Sequence, residues 1–101
     1  MFIVDRLQFH EVLKAITPNV YFQPPPSVAM QYPCIIYHVN TGLTHFAGNL
    51  PYRYSEKYDV TVVDRDPDTP IRFEVAKLPT CTLNRWYAVD NLNHYVYNLY
   101  I

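Results

Sequence analysis

The residues with the greatest capacity for chemistry are two cysteines and four histidines. Cys34 and His38 would share one face of a β-strand, because strand side chains alternate between faces. A zinc site needs three or four ligands at suitable spacing, and no third ligand accompanies this pair in the sequence. Cysteine nucleophiles need an accessible thiolate, whereas Cys34 and Cys81 both lie in apolar sequence typical of buried, reduced thiols. A disulfide bond between Cys34 and Cys81 remains an alternative.

Serine, glycine and aspartate motifs do not add a catalytic centre. The chain has two serine residues, neither in a GxSxG motif, and its two glycines cannot form a phosphate-binding loop. Asp64, Asp66 and Asp68 alternate like the start of an EF-hand loop, but such a loop has glycine at position 6 and glutamate at position 12. Thr69 and Val75 occupy those positions. We therefore predict no catalytic residue, no metal site and no cofactor.

The sequence predicts two short helices, one near the start of the chain and one after the aspartate-rich turn. Asp5 and Gln8 fit a capping box, and apolar residues recur at the helical period after them. These features predict a helix over residues 6–16. Thr69 is a good N-cap before a proline at the first helical position, which predicts a second helix over residues 70–78.

The remaining apolar segments are predicted as strands joined by turns. The predicted strands lie near residues 19–23, 34–39, 56–63, 81–88 and 92–101. Residues 40–54 are predicted as a long loop, and most connections are too short for parallel crossovers. The sequence thus predicts an α+β fold: a single small domain spanning residues 1–101, with a mostly antiparallel sheet of about four or five strands and two helices packed on one face.

The composition favours contacts with other protein chains. Only 17% of the residues are charged, while the chain has ten tyrosines and five phenylalanines. Aromatic side chains in such excess are typical of interfaces, although tyrosine also suits half-buried strands. The net charge of −1 lacks the basic character of nucleic-acid-binding proteins. No secretory signal or membrane-spanning run is visible, so we expect synthesis in the cytoplasm and no membrane partner.

Four segments together carry a family resemblance. They are residues 20–25 (VYFQPP), 32–37 (YPCIIY), 58–68 (YDVTVVDRDPD) and 90–94 (DNLNH). In this order and spacing, over nearly its whole length, the chain resembles small bacteriophage proteins of the tail terminator, or tail completion, type.

The resemblance implies a structural virion protein at the head-proximal end of the tail, made in the cytoplasm of the host bacterium. It implies a homo-oligomeric ring, typically a hexamer, that caps the tail tube, stops its polymerisation and offers a surface to the head connector. DNA would pass through the ring without sequence-specific binding, and no catalytic residues carry over from the family.

The contacts expected with a neighbouring subunit or the tube lie in two places. The first is the predicted loop, in which Arg53 is the best anchor because arginine and tyrosine are frequent hot-spot residues. The second is the tyrosine-rich last strand. The alternative is that these residues merely cover their own sheet. The expected interface residues are Phe46, Leu50, Tyr52, Arg53, Tyr54, Tyr95 and Tyr97.

Three other functions remain open from the sequence. One is another head–tail connector, such as a stopper or adaptor. A second is a monomeric module that binds peptides along an exposed sheet edge. The third is a small hydrolase or metal-dependent enzyme that uses His38, His45 or His94.

Overall fold

A computed structural model describes the backbone of residues 5–47 and 50–100, and the side chains of residues 5–40 and 56–100. Two helices and a five-stranded sheet of order β1-β2-β3-β5-β4 form a small α+β domain. The elements are α1 (Arg6–Ile16), β1 (Val20–Phe22), β2 (Cys34–Ala47), β3 (Leu50–Asp64), α2 (Pro70–Ala76), β4 (Thr82–Val89) and β5 (Leu92–Tyr100). The predicted fold class is confirmed.

Local side-chain bonds start both helices where the sequence predicts. The Asp5 carboxylate accepts a hydrogen bond from the backbone N–H of Gln8 at 2.7 Å, which caps α1. The Thr69 hydroxyl accepts one from the N–H of Ile71 at 3.3 Å, and Pro70 begins α2. Each cap satisfies a backbone donor that has no partner within its own helix.

The sheet is antiparallel except at one edge, where the short β1 runs parallel to β2. Asp90 and Asn91 join β4 to β5 with backbone φ angles of 53° and 64°. Two consecutive positive φ angles form a turn whose twist matches that of paired strands, and aspartate and asparagine tolerate this conformation. The hairpin predicted from these two residues is therefore confirmed.

The prediction of a long loop over residues 40–54 is wrong. β2 and β3 continue as an antiparallel pair to the Ala47–Leu50 partners, and residues 48–49 lie outside the described residues. The strands persist because pairing between β2 and β3 outweighs the local preference of the glycines and Pro51 for a loop. Gly42 does not break the strand: it pairs with Glu56.

The helices cover one face of the sheet, and the core lies between them. Phe9 and Leu13 of α1 and Val75 of α2 are fully buried in one cluster with strand residues such as Tyr37 and Val60. No helix in the described part of the chain packs on the opposite, open face. There a smaller cluster forms around Cys34, Val63 and Leu92.

Candidate assembly surface

The β2–β3 hairpin extends well beyond the rest of the sheet. β1 pairs with β2 only as far as Tyr37, and β5 pairs with β3 only from Lys57 onward. Residues 41–47 and 50–56 therefore form a two-stranded ribbon, called here the hairpin arm, with which no third strand pairs in the described part of the chain. At a rise of about 3.3 Å per residue, the arm extends roughly 20 Å. The subunit is accordingly elongated, measuring 51 × 29 × 23 Å.

A two-stranded ribbon of this kind gains little stability alone. Isolated hairpins are marginally stable in water, and a third strand or a packed helix is usually needed. The two arm strands pair with each other along their inner edges, and their outer edges have no strand partner among the described residues. The arm can therefore accept a strand from another chain.

A second unsatisfied edge lies at the other end of the sheet. β4 pairs with β5 along one side, and no described strand pairs with its other side. All eight residues of β4 are exposed. Its large apolar side chains form what we call the β4 surface: Leu83 (55% exposed), Trp86 (55%), Tyr87 (38%) and Val89 (51%).

Leu83 and Trp86 are exposed because α2 packs over β5 and does not reach β4. Tyr95 and Tyr97 of β5 are buried, and their hydroxyls donate hydrogen bonds to the backbone oxygens of Pro67 (2.9 Å) and Arg72 (3.2 Å). The partners of these two tyrosines in the ladder are Trp86 and Leu83, which lie outside the helical cover. The apolar face of the sheet that α2 covers at β5 thus continues, uncovered, onto β4.

The open-face side of β4 carries an ordered aromatic stack. The rings of Tyr87 and His94 are nearly parallel, at 10°, with centroids 4.6 Å apart. The Arg85 guanidinium carbon lies 5.8 Å from the Tyr87 ring centroid. Tyrosine and arginine that are held in place lose little entropy on binding, so they suit a contact surface.

The residues predicted as interface contacts separate into two groups. Phe46, Leu50, Tyr52, Arg53 and Tyr54 all belong to the hairpin arm, where their backbone is in strand conformation and their side chains lie outside the described residues.

Tyr95 and Tyr97 lie in the core, at 8% and 3% exposure, and do not offer a surface to a partner. The expectation of contacts through Tyr95 and Tyr97 is thus corrected. β5 is an interior strand of the sheet. Trp86 and Tyr87 are exposed on β4 beside it, and Tyr100 is exposed at the end of β5.

Sequence reasoning missed the β4 surface although it placed a strand there. The segment contains Leu83, Trp86 and Tyr87 without strict alternation, and a register shift between Leu83 and Arg85 changes which residues share a face. The useful signal was that apolar residues occur on both faces of a strand that has no helix to cover it. Recognising that signal requires the strand order.

A polar network crosses the open face next to the arm. The Asp59 carboxylate accepts hydrogen bonds from the Asn40 and Asn98 side-chain amides and lies 3.3 Å from His38 Nε2. The Asn84 amide in turn donates to the Asn98 side-chain oxygen at 2.8 Å. The network joins strands β2, β3, β5 and β4, so it fixes the sheet where the arm begins.

The two cysteines and Tyr58 are held in their neutral forms. Burial raises the pKa of the Cys34 and Cys81 thiols to about 11, and both cysteines are free. Burial, together with the neighbouring Glu56 carboxylate, raises the pKa of Tyr58 to about 12. Thiols with raised pKa values are poor nucleophiles at neutral pH, so these groups are suited to packing.

Among the described residues, no group of three or more histidine, cysteine or acidic side chains is arranged to hold a metal ion. Neither described helix has the length and apolar content needed to cross a membrane. No protein-family model matches the chain, and no curated protein matches it significantly.

Proposed function

We propose that this chain is a structural subunit that assembles into a ring on the end of a bacteriophage tail tube. The ring ends tube polymerisation and provides the surface that joins the tail to the head connector. Two independent lines support the proposal: the resemblance of four segments to tail terminator proteins, and the form of the subunit.

The observation that carries the proposal is the presence of two different unsatisfied edges on one small subunit. No third strand pairs with the hairpin arm among residues 5–47 and 50–100, and β4 exposes both its outer edge and its apolar side chains. A cyclic ring requires two unlike surfaces that meet head to tail. A subunit with an arm at one place and an open edge at another satisfies this requirement.

The charge also suits a ring through which DNA passes. The chain has eight basic and nine acidic residues. A protein that gripped DNA would need lysine and arginine to neutralise phosphates. A nearly neutral subunit instead lets DNA move through without holding it.

The first test is the solution mass of the purified chain, measured by light scattering after size exclusion at low and high salt. A mass near six subunits supports the ring. The second step mixes the chain with a polymerising tail tube protein and measures tube lengths by electron microscopy. Shorter tubes with one capped end are expected. Tubes of unchanged length, with no chain bound at their ends, would contradict the proposal.

The free edge of β4 also favours a second candidate, a monomeric module that binds an extended peptide by strand addition. Such a module would stay monomeric at every concentration and would not change tube length. The same two measurements therefore separate the candidates.

A further inference from the structure

We propose that residues 41–47 of one copy pair with the outer edge of β4 in the next copy, so that a single sheet continues from subunit to subunit. This inference rests on the ring proposed above and names the two surfaces that build it.

The strand order places the two edges on opposite sides of the sheet. The strand order is β1-β2-β3-β5-β4, and β1 pairs with β2 only as far as Tyr37. The unpaired edge of the arm half of β2 therefore faces the side of the sheet on which β1 lies. The free edge of β4 opens in the opposite direction. When the arm of one copy binds β4 of the next, two different surfaces meet, so the contact is heterologous. Each further copy is then added by the same rotation and translation. Since paired strands twist relative to each other, repeated steps turn and can close a ring.

The two segments also match in length and composition. β4 has eight residues, and the arm half of β2, residues 41–47, has seven. Neither segment contains proline, and Arg85 is their single charged residue. Exposed edges that must avoid pairing usually carry proline or several charges. The lack of that protection along most of both edges favours pairing.

The other half of the arm is a poorer partner. Residues 50–56 include Pro51, which has no backbone N–H to donate to a ladder. Residues 41–47 contain no proline, so each N–H group on their outer edge can donate to a ladder, and they are the strand that forms the continuous contact. Pairing there would also give the arm a third strand, which no described segment of its own chain provides, and would cover Leu83 and Trp86.

Cross-linking between two single-cysteine additions tests the contact. Thr44→Cys lies at the middle of residues 41–47, and Arg85→Cys lies near the middle of β4, so these positions approach each other whether the strands pair parallel or antiparallel. A short bis-maleimide is added to an equal mixture of the two variants near neutral pH. The native thiols give little background, because burial raises the pKa of Cys34 and Cys81 to about 11.

The expected result is a covalent dimer that forms several-fold more in the mixture than with either variant alone. The matched control replaces Arg85→Cys by Lys14→Cys, on the exposed surface of α1, and should give only the background amount.

Light scattering on the same samples distinguishes the possible failures. An oligomer without preferential Thr44→Cys to Arg85→Cys cross-linking would overturn this contact and leave the ring standing. A chain that stays monomeric throughout would overturn the contact as well. Cross-linked rings that do not cap tail tubes would support the contact and contradict the proposed function.

Discussion

Leu83 and Tyr97 are direct partners in the β4–β5 ladder, yet Leu83 is 55% exposed and Tyr97 only 3%. The Tyr97 hydroxyl donates to the Arg72 backbone oxygen of α2 at 3.2 Å, whereas Leu83 lies beyond the helix. The boundary between the core and the exposed β4 surface therefore runs between these two adjacent side chains.

Replacing Trp86 with threonine should weaken assembly without unfolding the subunit. Threonine keeps the strand preference, and Trp86 is 55% exposed, so the free energy of unfolding should change by less than about 0.5 kcal/mol. Loss of a central tryptophan at an interface costs about 2 kcal/mol, or roughly 30-fold in the dissociation constant. Denaturant titration and concentration-dependent light scattering measure the two quantities.

The matched control for that substitution is Leu7→Gln, which removes an exposed apolar side chain from α1, away from β4. It should leave the dissociation constant unchanged. Equal weakening by Leu7→Gln and Trp86→Thr would show that general surface hydrophobicity, and not the β4 surface, drives association.

Replacing Tyr97 with phenylalanine should lower the free energy of unfolding and leave assembly intact. The change removes the hydroxyl that binds the Arg72 backbone oxygen. Loss of one such hydrogen bond costs about 1 kcal/mol, which lowers the midpoint of thermal unfolding by roughly 4–8 °C in a domain of this size. Calorimetry measures the shift. A normal midpoint with a lost oligomer would instead place Tyr97 at the interface.

Replacing Asp59 with asparagine should destabilise the sheet at the base of the arm. The carboxylate accepts bonds from Asn40 and Asn98 and lies beside His38, and an amide cannot accept at both of its terminal atoms. A loss of about 1–3 kcal/mol in the free energy of unfolding is expected from denaturant titration. Glu11→Gln, at an exposed position of α1, makes the same charge change and should have little effect.

Acidification should destabilise the fold partly through His10. Burial, with the nearby Lys14 and Arg6 charges, lowers the pKa of His10 below 6.5, and Glu11 opposes this effect. His10 Nδ1 also lies 2.6 Å from the Tyr37 hydroxyl. Because the unfolded chain binds a proton more readily, this contribution is fully present above pH 6.5 and is lost as the pH falls through the folded pKa.

The measurement is the free energy of unfolding of the native chain and His10→Gln from about pH 7.5 to about pH 5. The native chain should lose more stability than the variant over this range. Parallel curves for the two proteins would show that His10 does not contribute to the pH dependence.

Much of the fold could be predicted because local chemistry decides it. The Asp5 and Thr69 caps, the Asp90–Asn91 turn and the alternation in β3 depend on neighbours only a few residues away. The extension of β2 and β3 could not be predicted in this way. Its segment contains both glycines and Pro51, which favour a loop locally, whereas pairing between the two strands keeps it extended.

The sequence by itself determined the two helices with their caps, the position of every strand except the extension of β2 and β3, and the excess of aromatic residues that suggests contacts with other chains. Only the tertiary structure decided which aromatic residues are buried. Tyr95 and Tyr97 lie in an interior strand beneath α2, while Trp86 and Tyr87 lie on the edge strand next to it. The physical reason is that burial depends on strand order and on where a helix ends, and both are set by contacts between residues far apart in the chain.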